Sequence, residues 1–211
     1  MELKTAPDIE PPRRYSHTAM VLHWTIAALI VVNITLVYVV DHLPGDYVRP
    51  VIDTHKSIGI TVLGLAILRL LWRYAHRPPP LPPSYRPWER ISAGAVHIAL
   101  YVLIFAIPIS GWMHDSAFKE AALYPMRLFG LVPWPRISLI ADVEPQTKEF
   151  LHNLFGAVHR WLGYGIFGLF ALHVAGALKH QFWDHEPELQ RILPWGDADH
   201  ERDEIAAQPR T

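Results

Sequence analysis

The amino-acid sequence predicts an all-α integral membrane protein, a four-helix bundle, and three observations carry that reading. Four segments are each apolar over roughly the 20 residues that a bilayer crossing needs. Hydrophobic residues make up 51% of the 211-residue chain and charged ones only 18%, against about 25% charged in a typical soluble domain. There are 13 histidines and no cysteine, and many of the histidines fall on or beside the apolar segments.

The first span runs from Met20 to Val40 and the second from Ser57 to Trp72, with His55 and Lys56 at its mouth. The second is short and ends in Arg69 and Arg73, whose long side chains can snorkel towards headgroups. The third covers Ile91 to Trp112 and carries Pro108, where a kink is tolerable if neighbours satisfy the freed carbonyl. The fourth covers Leu154 to Leu178. The first 16 residues contain acids and prolines and no apolar core, so no cleavable signal peptide is expected. The run Pro78–Pro83 reads as a stiff polyproline stretch, and the segment 196–211 as a disordered, acidic tail.

Basic residues set the orientation. Arg69, Arg73, Arg77, Arg86 and Arg90 face the single acid Glu89 between spans two and three. The other two connections together hold eight acids and six bases. The positive-inside rule makes the arginine-rich loop cytoplasmic, with both termini on that side. A net charge of -1 gives no reason to expect a nucleic-acid partner; membrane lipid is the expected surrounding.

Each histidine then acquires a depth. His159 and His173 are 14 residues apart, close to four helical turns, so they share a face with a rise of roughly 21 Å. One ring falls in each leaflet of a hydrocarbon core about 30 Å thick. His152 and His180 continue the stripe at intervals of seven. His23 matches the depth of His173 and His55 that of His159, while His97 is a third histidine at the inner level. Ionisable residues inside membrane helices point to function. Two axial imidazoles per iron suit an electron-transfer haem. Zinc wants four clustered ligands, which one histidine per helix and leaflet does not supply, although His97 brings the inner count to three. Without cysteine there is no thioether attachment and no iron–sulfur cluster. Glycines on the second and fourth spans fit close helix packing or the near approach of a flat macrocycle.

The stretches RYSHTAMVLHW, DTHKSIGITVLGLAILRLLWR, GAVHIALYVLIFAIPISGW and AVHRWLGYGIFGLFALHVAGALKHQFW resemble the bacterial cytochrome b561 family, over about residues 13–195. That family includes superoxide:ubiquinone oxidoreductases and relatives of hydrogenase b-type subunits. The resemblance implies residues 1–16 as a cytoplasmic tail and 17–195 as a membrane cytochrome domain in the bacterial inner membrane. It implies two b-type haems, with His23 and His173 ligating the inner iron and His55 and His159 the outer one. It also implies a quinone site near the inner haem, with His180 as first candidate and His97 and Trp183 behind it. Arg160, Arg69 and Arg73 are candidates for haem propionates, through charge-assisted hydrogen bonds. His17, His114 and His152 read as interfacial, without a role.

The function these features imply is one-electron transfer across the bilayer, oxidising superoxide at the outer face and reducing ubiquinone near the inner face. Bis-histidine iron has no open position, so the chemistry is outer-sphere. The excess of acids in the outer connections argues against steering of an anion. The competing expectation is an electron-transfer subunit serving a periplasmic or membrane redox partner such as a dehydrogenase or hydrogenase.

Overall fold

The computed structural model describes residues 14–194. Four long helices dominate it: α1 (His17–Val40), α2 (Gly45–Ala75), α3 (Pro87–Ser116) and, after a structured connection, α5 (Pro145–Phe182). All four are long and apolar enough to cross a membrane. At about 1.5 Å per residue, the shortest of them, with 24 residues, clears a hydrocarbon core of about 30 Å.

Local chemistry sets the helix starts. Ser16 caps α1 by accepting from the Ala19 amide. Pro87 and Pro145 open α3 and α5, a position where the missing N–H costs no helical hydrogen bond. The Glu89 carboxylate reaches back to the Arg86 amide at 2.9 Å, half of a capping box. The four residues between α1 and α2 permit only a tight reversal, and the proline run between α2 and α3 has no regular structure.

The second span is not short. α2 begins at Gly45, a dozen residues before the apolar run, and His55 lies well inside it. Its outer turns are charged but paired along the helix, Arg49 with Asp53 at 3.1 Å and Lys56 with Asp53 at 3.3 Å. Such pairs at i,i+4 and i,i+3 support helix where hydropathy gives no signal. α5 likewise outruns its apolar run at both ends, taking in His152 and His180. The outer connection is therefore shorter than the hydropathy suggests. It carries a two-stranded hairpin, β1 (Arg127–Leu128) with β2 (Val132–Pro133), and the turn α4 (Ser138–Ala141).

α1 packs along α2, α2 meets α3, and α3 runs along α5. Among the described residues the backbones of α1 and α2 make no comparable approach to α5, and imidazoles reach across that separation instead. The buried apolar core is small, Ile26 with Ile58 and Val62, and α5 buries only Ile166 of its 38 residues. Large apolar side chains such as Ile98, Val102, Leu71 and Trp161 face outwards, as lipid-facing residues do. Residues 14–16 are docked: Tyr15 N–H donates to the Arg191 carbonyl, beside α6 (Glu188–Ile192). Of the expected tails 1–16 and 196–211, residues 1–13 and all of 196–211 lie outside the described residues.

Candidate functional site

The chain direction alternates from α1 to α5, which brings the amino-terminal half of α1 against the carboxy-terminal half of α5. His23 and His173 meet there, with ring centres 6.3 Å apart and planes at 73°. At the other depth His55 of α2 faces His159 of α5, at 6.0 Å and 85°. Two metal–nitrogen bonds of about 2 Å, plus about 1 Å from each nitrogen to its ring centre, place bis-imidazole ring centres about 6 Å apart. Both pairs match that figure. His97 also contacts His173, but at 5.2 Å, too close for an iron between them.

Hydrogen bonding supports the ligand role at the outer pair. His159 Nδ1 lies 3.0 Å from the Ile107 carbonyl and 3.1 Å from Ser110 Oγ. Donation to that carbonyl fixes the tautomer in which Nε2 keeps its lone pair for a metal. The ring rests on α3 at Gly111, where a Cβ would stand 3.0 Å from His159 Cε1. An added methyl there would make the ring give way by a few tenths of an ångström. Nδ1 of His55 is buried without a satisfied hydrogen bond, although the Asn33 backbone lies near the ring. With the Asn33 carbonyl as the acceptor nearest Nδ1, Nε2 of His55 is left for a metal, as at His159. The residues present therefore fit a haem iron at this depth, and the inner pair repeats the ring spacing.

The surroundings of the two pairs differ. At the inner level Arg69 acts electrostatically on both His23 and His173, while its Nε donates to Tyr101 Oη and its Nη1 to the Ala19 carbonyl. Arg73 is close enough to act on His97. At the outer level Arg160 is exposed and makes no hydrogen bond or ion pair with a described residue.

Residues 14–195 match the prokaryotic cytochrome b561 family. The chain belongs to this family. Among curated relatives, cytochrome b561 homolog 2 of Escherichia coli strain K12 is 33% identical, covering 90% of this chain and 96% of the relative. Cytochrome b561 homolog 1 of the same organism is 23% identical, over 86% and 97%. The probable superoxide oxidase CybB of Yersinia pestis is 25% identical, over 86% and 97%. Membership makes this a membrane electron-transfer protein and implies a b-type haem. Such a haem supplies a one-electron couple buried within the bilayer.

His180 stacks on Tyr85 with ring centres 4.2 Å apart, and its Nδ1 lies 2.6 Å from Asp184 Oδ2. Lys179 bridges Asp184 at 2.6 Å and Glu89 at 2.7 Å. Its ammonium holds the Asp184 carboxyl below the usual range, while burial and then a hydrogen bond to Glu188 push the Tyr85 phenol up. Glu89, His180 and Asp184 could each offer one ligand atom within 4.8 Å of the others, but Lys179 already brings the positive charge a divalent ion would contribute. A cavity of about 470 Å³ beside this cluster is lined by Tyr85, Trp88, Glu89, Lys179 and Trp183.

Two groupings escape sequence reasoning. His114 and His152 stack at 4.0 Å with reciprocal contacts, each Nδ1 to the other residue's carbonyl at 2.9 and 3.2 Å. Gly156 makes room for the His114 ring. The heptad stripe marks His152, but nothing marks its partner. Asp115 is buried between Lys56 at 2.6 Å and Arg136 at 3.0 Å, which bolts the outer connection onto α2 and α3.

Proposed function

We propose that the protein holds two b-type haems, one between His23 and His173 and one between His55 and His159. It passes single electrons across the bacterial inner membrane, from superoxide at the outer face to ubiquinone near the inner face. The observation that carries this is the pair of ring separations, 6.3 and 6.0 Å, at two depths on one helix. Both termini and the arginine-rich loop lie on the cytoplasmic side.

The chain's own residues do the rest. Ile107 and Ser110 hold the outer imidazole in its ligating tautomer. Arg49, Lys56 and Arg136 outnumber Asp53 and Asp115 at the outer end of α2, a local positive balance within acidic connections that draws an anion inward. Arg69 and Arg73 would hold the inner propionates, and Arg160 would receive an outer one. Two superoxide ions release two electrons and leave as two molecules of oxygen. One quinone takes those electrons with two protons, and His180, beside the cavity that reaches Trp183, hands on the protons from the aqueous side.

A second reading has one observation in its favour. Leu123, Leu131 and Leu139 on the outer connection are 74–88% exposed, which suits docking of a redox partner. Stopped-flow mixing of the purified oxidised protein with superoxide separates the two. Haem reduction within the mixing time range, followed by reoxidation with a ubiquinone analogue, is expected. Reduction no faster than superoxide's own disproportionation would leave the docking role.

A further inference from the structure

A second cavity, of about 490 Å³, opens where the carboxy-terminal end of α2 meets the start of α1. Arg14, Arg69, Arg73, His76 and Arg77 line it, and among the described residues no carboxylate does. Four guanidinium groups around one space repel one another, and more strongly beside a low-dielectric bilayer than in bulk water. Arg73 and Arg77 are exposed and make no hydrogen bond or ion pair with a described residue. Arg69, by contrast, is pinned by Tyr101 and the Ala19 carbonyl.

The walls are fixed without the help of any ligand. Trp72 donates from Nε1 to Ser16 Oγ at 2.9 Å and stacks on His76 at 3.9 Å. Arg191 holds the proline segment through the Pro80 carbonyl. The space is thus preformed, positively charged, and flanked by an aromatic ring at the level where a helix leaves the hydrocarbon.

We propose that this cavity binds the phosphodiester of an anionic phospholipid, with Arg77 as the charge partner and Trp72 against the glycerol backbone. A guanidinium matches phosphate oxygens in two-point geometry, and basic pockets between membrane helices are where anionic headgroups lodge. The lipid is the favoured source of phosphate because the cavity borders the apolar faces of α1 and α2, where acyl chains can lie. The assignment rests on Arg77 and leaves Arg69 and Arg73, on the side of the cavity towards the inner pair, to the propionates of the proposed function.

The test is native mass spectrometry of the detergent-purified holoprotein incubated with phosphatidylglycerol or phosphatidylcholine. One retained phosphatidylglycerol is expected, with phosphatidylcholine lost, and Arg77→Glu should cut retention at least fivefold without changing the haem spectrum. Equal retention of both lipids, or undiminished retention by Arg77→Glu, would overturn the proposal. A third arm needs no variant: retention by the unaltered protein should fall as ionic strength rises, because the attraction is screened, and salt-independent retention would count against it. If millimolar inorganic phosphate raises the melting temperature as much as the lipid does, the cavity is a free-phosphate site and the lipid assignment fails.

Discussion

The outer and inner histidine pairs have the same ring separation but are held differently. At the outer pair His159 is hydrogen-bonded to Ile107 and Ser110 and pressed against Gly111. The connection beyond it is clamped through Asp115 to Lys56 and Arg136. At the inner pair neither His23 nor His173 makes a hydrogen bond to another described residue; a third imidazole, two arginines and two cavities lie nearby. A rigid outer centre and a more open, electropositive inner one suit different tasks. In the proposed function the first would meet a partner at a fixed surface. The second would exchange electrons with a mobile molecule that must enter, take up protons and leave.

The largest expected effect tests whether the two centres are separate at all. His55→Ala and His23→Ala should each remove one haem, and a different one, because the pairs share no ligand. Pyridine haemochrome assay and low-temperature spectra read this directly. Either variant retaining two normal haems would break the assignment.

Next comes the clamp that distinguishes the outer end. Asp115→Ala leaves Lys56 with Asp53 alone and Arg136 without a carboxylate in a largely buried setting, their side chains only 18% and 13% exposed. Removing one partner of such a group costs about 3 kcal/mol or more. A clear drop in melting temperature is expected, together with weakened outer-haem retention and an unchanged inner spectrum. A loss shared equally by both haems would mean that the clamp serves the whole bundle.

A smaller and more local effect is expected at Gly111. A methyl there meets the His159 ring at 3.0–3.2 Å, and overpacking of this kind costs about 1–3 kcal/mol. Gly111→Ala should shift the outer-haem spectrum and midpoint alone. An unperturbed outer centre would show that the ring has room to slide.

The same contrast explains what was legible in the sequence. The inner and outer pairs could be read because a 14-residue interval repeats helix phase, and because depth in a bilayer is a coordinate that hydropathy supplies. The ends of α2 and α5 could not, because hydropathy falls away at the headgroups while Arg49, Asp53 and Lys56 carry the helix on by pairing with one another. Asp184 was within reach as the residue four after His180. Asp115 with Arg136, and His114 with His152, depend on how a connection folds back over α3, and no periodicity encodes that.

The smallest effect concerns the open side of the inner centre. His180 is anchored at Nδ1 by Asp184 and stacked on Tyr85, so its orientation is set by protein groups. With Nδ1 held by the Asp184 carboxylate, Nε2 is the ring atom left to face a quinone carbonyl. A proton carried there can bond that carbonyl and then be delivered, with Lys179 and Asp184 connecting the ring to water. His180→Ala should keep both haem spectra but slow electron exchange with ubiquinone analogues at least tenfold, a barrier increase of about 1.4 kcal/mol. Asp184→Asn keeps a hydrogen-bonding group at Nδ1 but withdraws the carboxylate charge. It should slow exchange less than His180→Ala does. An unmodified exchange rate in His180→Ala would move the quinone to the side of the inner pair where His97 stands, and the inner centre would then owe its openness to α3.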